Sequence, residues 1–369
     1  MGAVYNGFTP WPDNAVELGT DRVIELYKEG MAGAFQDPEE SDKLNEAIAA
    51  KGGIVDGNDV AERFGFAGEG DGALVILYPA VVKSFGLRAL TKPGQKTGDC
   101  VSMGFRDGSL YLICLEHQSQ LPDEATLRLE GLPDVSDLAI QNGVFCNEGI
   151  YKHRNHNGQG MSCSQGANWV TTEGGILVRK KYDQVNLETY NVGFETTGRG
   201  GSPQWMDDLA KQHPVRDCTR PKGHEAGRDF IARGKPVVIC MSLGFSSTRG
   251  EWGYAQKSGS WSHSIHIIGA DYRASTIRKF GFPLALAGHR WAIWNKGDRR
   301  IFESQDIVDA SERAQWKELG MMDSEGYVLI PEGYWWMDAR LLDRCDLYAL
   351  SGAAGWDTAS LPNYLGGLQ

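Results

Sequence analysis

Three short segments carry residue types suited to covalent chemistry. Gly98-Asp99-Cys100-Val101-Ser102 puts a thiol at the head of a run with helical apolar spacing: Val101, Met103, Phe105, then Leu110, Ile113 and Leu115. A helix N-terminus carries partial positive charge, which stabilises a thiolate and lowers the pKa of the thiol. A cysteine in such a place is also a common small buried hydrophobe, so the position alone does not assign a role. Ser262-His263-Ser264-Ile265-His266-Ile267-Ile268-Gly269 supplies two imidazoles three residues apart. Its isoleucines favour a strand, where odd spacing turns two side chains to opposite faces, so the pair is not expected to chelate one metal. Each could equally be a hydrogen-bonded structural histidine. Trp291-Ala292-Ile293-Trp294-Asn295-Lys296-Gly297 reads as an apolar strand ending in an amide, although Asn-Lys-Gly is also ordinary turn chemistry.

Taken together, in the order Cys, His, Asn, the three have the components of thiol catalysis. That chemistry needs a nucleophile, an imidazole to hold its proton, and an amide or carboxylate to orient the imidazole. At these residues the sequence resembles the papain-like cysteine peptidases. Gln95 followed by Gly98-Asp99-Cys100 is similar to the family's Gln…Gly-Ser-Cys loop, and His263 stands six residues before Gly269 across an apolar strand. Asn295 closes an aromatic strand before a glycine. Cys163-Ser164-Gln165-Gly166, then Gly174-Gly175-Ile176 and Tyr182, resemble the family's Cys-x-Gly-Gly, Gly-Gly-Ile and Tyr-Pro-Tyr segments, and residues 235–244 resemble the strand leading to the histidine.

The resemblance spans about residues 85–305 and implies specific roles. Cys100 would be the nucleophile, His263 its ion-pair partner and general acid/base, and Asn295 the orienting amide. Gln95 and the Cys100 N–H would donate to the oxyanion, and Gln165 and Gly166 would lie along the wall that pairs with substrate backbone. Asp271 or Asp298 is a second choice for orienting His263. The implied fold is α+β with two lobes, a helical left lobe and an antiparallel β-barrel right lobe. Residues 1–85 would add a helical arm or pro-segment-like extension, 86–305 the peptidase domain, and 306–369 an aromatic-rich extension packed on the barrel or a partner. The substrate class implied is a peptide or protein. A bacteriophage-encoded member is the origin the Gly-Asp-Cys-Val-Ser start suggests.

Four positions depart from the family pattern. Gln95 is five residues before Cys100, where the family usually has six; Asp99 replaces a small neutral residue; Val101 replaces an aromatic; and no Trp follows Asn295-Lys296-Gly297. Asp99 suits a helix N-cap, yet its charge would oppose a neighbouring thiolate. These departures favour an alternative in which the same fold serves as an inert structural component of a virion or other assembly, associating through its terminal arms.

The elements that must position these residues are legible as periodicities. Helices are expected near Thr20, after Pro38, at about 58–64, from Cys100 onward and at about 167–173, the last closed by Gly174-Gly175. Gly104 and Gly108 should weaken the Cys100 helix by about 1 kcal/mol each. Strands are expected at 73–78, 235–241, 264–269, 290–295, 328–330 and 334–336. Helices first and strands later is an α+β order.

Composition excludes several function classes. The 369 residues carry 37 basic and 48 acidic side chains, a net charge of −11, with no basic cluster of the kind that displaces counterions from nucleic acid. Apolar runs reach about ten residues, short of the roughly 20 needed to span a bilayer, and no export signal is visible at the N-terminus. A cytoplasmic or virion-associated location follows as the expectation. Seven cysteines, odd in number and without a CxxC pair, point to reduced thiols rather than a disulfide framework. No cofactor is expected. His153, His156 and Cys163 lack a fourth metal ligand and read as a solvated loop, and Gly198-Arg199-Gly200-Gly201 lacks the Lys-Ser/Thr of a phosphate loop. The 47 glycines and 11 tryptophans fit a folded chain with long, tightly turned loops.

Overall fold

The computed structural model describes residues 67–90, 95–118, 135–154, 156–196, 202–260, 262–288, 296–303 and 310–353. The helices expected before residue 66, the 290–295 strand with Asn295, Gly198–Gly201 and the 355–364 tail lie outside the described residues.

The chain begins its described course with strand β1 (Leu74–Ile76) and helix α1 (Tyr78–Phe85). Helix α2 (Cys100–Gln118) follows, starting where the apolar spacing places it. Short helices come next: α3 (Asp137–Gln141), α4 (Glu148–Lys152), α5 (Cys163–Asn168), α6 (Val192–Thr196) and α7 (Gln204–Ala210). Beyond residue 214 strands dominate, with β2 (Val215–Thr219), helix α8 (Gly223–Ala232), β3 (Val237–Met241), β4 (Thr248–Arg249), β5 (His263–Asp271), helix α9 (Ala274–Phe280), β6 (Leu284–Gly288), β7 (Lys296–Gly297) and β8 (Arg300–Glu303). Helix α10 (Ala310–Glu318), β9 (Tyr327–Leu329), β10 (Tyr334–Asp338) and β11 (Asp346–Ala353) complete it. The α+β order is as expected.

The principal sheet has seven strands in the path β10-β6-β5-β3-β11-β2, with β1 also paired to β5. Every pairing in it is antiparallel. It does not close into the barrel that the resemblance implies: the path ends on two different strands, β10 and β2. The β10 edge is instead covered by a crossing segment, where Ala255 N–H donates to the Trp336 carbonyl at 2.8 Å. Covering an edge satisfies its backbone groups without closure.

β5 is buried along all nine residues, its polar His263, Ser264, His266 and Asp271 included. Helix α2 lies across it, and two glycines one turn apart make the contact possible. A Cβ at Gly104 would stand 3.1 Å from Ser264 Oγ and 3.2 Å from Val238 Cγ1; at Gly108 it would stand 2.9 Å from Leu350 Cδ1. The glycines that weaken the helix by propensity therefore let its backbone sit directly on β3, β5 and β11. β1 pairs with the far end of β5, Leu74 opposite Asp271 and Ile76 opposite Gly269, so residues 74–76 are part of the principal sheet.

Candidate functional site

Cys100 is the first residue of α2 and is fully buried. The loop before it is pinned by an amide that sequence reasoning did not single out: Gln159 Oε1 accepts from Gly98 N–H at 3.0 Å and Thr97 Oγ1 at 3.1 Å. Gln95, expected at the oxyanion, donates from Nε2 to the Thr97 carbonyl at 2.6 Å, within its own loop.

His263 is the first residue of β5, opposite Met241 of β3, and is 5% exposed. Burial pushes its imidazole down to about 3, so the ring is neutral at physiological pH. Its position relative to Cys100 follows from the packing of α2. Gly104, one helical turn after Cys100, is seated beside Ser264, the residue after His263. The start of the helix and the start of the strand thus lie at the same end of the helix–sheet contact. Ser264 and His266 lie on the α2 side of β5. His266 sits deeper, with Nε2 3.3 Å from Tyr334 Oη and Nδ1 3.9 Å from Asp107 Oδ2. The two rings are separate, as odd spacing predicts.

Of the two acids considered as second orienters, Asp271 is placed far from His263 along the strand. Asp271 ends β5, eight residues and roughly 26 Å of extended strand away, and is occupied by Arg273 and Thr276. Asp298 accepts backbone N–H groups from Trp252 and Arg300. Gln165 closes a capping box with Ser162 at the start of α5, and its Nε2 donates to the Arg154 carbonyl at 3.2 Å. Gly166 is pressed on α2, where a Cβ would meet Phe105 at 2.6 Å and Val101 at 2.9 Å.

Two expectations are qualified nearby. The cysteines are not all isolated: Cys163 of α5 and Cys240 of β3 are side by side, with Cα atoms 6.5 Å apart, within bridging range. Widely spaced cysteines in sequence gave no sign of this, because their proximity depends on α5 folding over the sheet. The 153–156 segment is not simply solvated either. Arg154 is buried and donates to the carbonyls of Gly158, Tyr151, Glu195 and Thr196.

Sequence reasoning also missed a buried polar network beside Cys100. Asp99 uses its carbonyl to accept from Met103 N–H, the first bond of α2, while its carboxyl turns inward. There Asn147 and Tyr190 donate to it, and both also contact Glu195. Arg106 joins Asp107 and Asn147, and Arg179 joins Glu148 and Asn147. Asn147, Glu148, Arg179, Tyr190 and Glu195 come from a Gly- and Asn-rich stretch, and a pattern of apolar spacing cannot reveal that they are buried with Arg106 and Asp107 of α2. Among the described residues, no cluster of His, Cys, Asp and Glu could hold a metal ion, and no helix is long and apolar enough to cross a membrane.

No protein-family model matches the chain, and no curated protein sequence matches it. Solved structures with a similar course of chain include xylellain, a cysteine protease from Xylella fastidiosa, at 12% identity and a TM-score of 0.38 over 76% of this chain and 91% of that one. The Amb a 11 cysteine protease of ragweed pollen, in its proform, matches at 13% identity and a TM-score of 0.40, over 92% of this chain and 88% of that one. ProCathepsin B S9 from Trypanosoma congolense matches at 6% identity and a TM-score of 0.39, over 76% and 77%.

Proposed function

We propose that the chain is a papain-like cysteine peptidase or amidase that hydrolyses peptide bonds with Cys100 as nucleophile, His263 as general base and acid, and Asn295 as orienting amide. One observation carries the reading: Cys100 opens a buried helix that Gly104 and Gly108 seat against the sheet, at the end of β5 where His263 stands.

The chemistry follows from the residue types. Cys100 Sγ adds to the scissile carbonyl carbon while its proton passes to the neutral His263 ring. The carbonyl electron pair moves to oxygen, and the oxyanion is met by the Cys100 N–H, in the first helical turn, and by Gln95 Nε2 once it leaves Thr97. Collapse expels the amine, which takes the proton from His263, and leaves a thioester. Water, giving its proton to His263, then adds to the thioester carbon; the C–S bond breaks to release the acid, and Cys100 Sγ takes the proton back from His263. Cys100 and His263 are both buried. That burial is what favours the second reading, an inert papain-fold component of a virion or other assembly.

Hydrolysis of a fluorogenic peptide library between about pH 5 and 8 separates the two. Cys100→Ala and His263→Ala should each lower turnover by at least about a thousandfold at unchanged circular dichroism. Turnover that survives Cys100→Ala contradicts the assignment.

A further inference from the structure

Two carboxyls beside the start of α2 are bound in a way their own atoms do not satisfy without an added proton. Tyr190 Oη lies 2.7 Å from Asp99 Oδ2 and 2.9 Å from Glu195 Oε1. A phenol has one hydrogen and donates to one of them. Asn147 Nδ2, with two hydrogens, serves both acids, at 2.9 Å from Asp99 Oδ2 and 2.9 Å from Glu195 Oε2. The second phenol contact is a hydrogen bond only if a carboxyl donates to the phenol oxygen.

The surrounding charges point the same way. Asp99, Asp107, Glu148 and Glu195 are all buried. Arg106 pairs with Asp107 at 2.8 Å and Arg179 with Glu148 at 2.9 Å, while the carboxyls of Asp99 and Glu195 are held by the neutral donors Asn147 and Tyr190. At longer range, Arg106 of α2 favours the Asp99 charge and Glu148 of α4 opposes it. Tyr151 and Lys152 of α4 sense Asp99 and Glu195 respectively, and Lys96 lies over the Tyr190 ring at 5.9 Å. Burial outweighs these effects: it pushes Asp99 up to about 7, and with the Asp99 charge it lifts Glu195 well above the usual carboxylate range.

We propose that Asp99 and Glu195 share one proton, and that Glu195 thereby draws negative charge away from the residue that precedes Cys100. The consequence for Cys100 as nucleophile rests on the peptidase reading; the shared proton does not. A full charge on Asp99 would raise the pKa of the adjacent thiol, and a charge divided with Glu195 raises it less. Glu195 is then a positioning residue for charge, acting through Asp99.

Infrared spectra of the full-length chain test the proton directly. At about pH 6, where ordinary carboxyls are ionised, a neutral-acid carbonyl band should be present, shift on carbon-13 labelling of aspartate or glutamate, and vanish in Glu195→Gln. Absence of the band from the unmutated chain overturns the shared proton and requires no variant to fold.

Thiolate ultraviolet absorbance, taken as the difference between each chain and its Cys100→Ser counterpart, tests the effect on Cys100. Glu195→Gln confines the charge to Asp99 and should raise the Cys100 midpoint by about half a pH unit; Asp99→Asn should lower it by about as much. Shifts of one sign in both variants, or none, overturn the charge-drawing role. Neither readout depends on peptide hydrolysis, so an inactive chain would contradict the function proposed above and leave this inference open to its own result.

Discussion

The interior is held by different forces on its two sides. On the sheet side, β10 buries Tyr334, Trp335, Trp336 and Met337, and the strand ladders satisfy the backbone. On the helical side, Arg106, Arg179, Asp99, Glu148 and Glu195 are buried together. Apolar burial gains stability in proportion to area and is nearly independent of pH. Buried charge holds only while each partner is present and in the right protonation state. The proposed nucleophile begins the helix that runs between these two sides, with the conditional side at its first turn.

The largest expected effects break one side at a time. Trp336→Ala should cost about 3–5 kcal/mol in urea unfolding, with nearly the same loss in acid and at neutral pH. Arg179→Ala should cost about as much, because it strands the buried Glu148 carboxylate without its charge partner. The contrast lies in rescue: Arg179→Met with Glu148→Leu should recover part of the loss, since replacing both charges removes the stranded one. A double variant no more stable than Arg179→Ala would show that the network is not conditional in this way.

A smaller effect sharpens the comparison through its exception, the buried histidine on the sheet side. Burial pushes His266 down to about 4, with Asp107 only partly offsetting it. An unfolded histidine titrates near 6.5, so between about pH 6.5 and 4 the unfolded chain binds the extra proton and stability falls as pH drops. His266→Gln should flatten that slope by up to about 1.4 kcal/mol per pH unit. An unchanged slope would place a protonated ring in the folded state. The smallest effect belongs to α5: Ser162→Ala opens the capping box and should cost about 1 kcal/mol.

What was legible in the sequence follows the same division. The start of α2 at Cys100 and the strands β3 and β5 were readable because apolar spacing records burial against a neighbour. Gly104 and Gly108 were read only for their helix propensity, since close packing on β3 and β5 has no local signature. The open sheet was missed because strand runs do not say whether the two end strands meet. Asp99, Asn147, Tyr190 and Glu195 come together from four separated segments, and nothing in their spacing announces that they are buried. Polar residues in a Gly- and Asn-rich stretch look like solvated loop until tertiary contacts place them inside.

The central claim is that Cys100 is a nucleophile served by His263. Incubating the full-length chain with an epoxide-type thiol inhibitor and reading intact and peptide masses tests it most directly. The account predicts one adduct, on Cys100, absent from Cys100→Ala and at least about tenfold slower to form in His263→Ala. No adduct on Cys100 under conditions where the chain is folded, or an adduct formed at the same rate without His263, would contradict it.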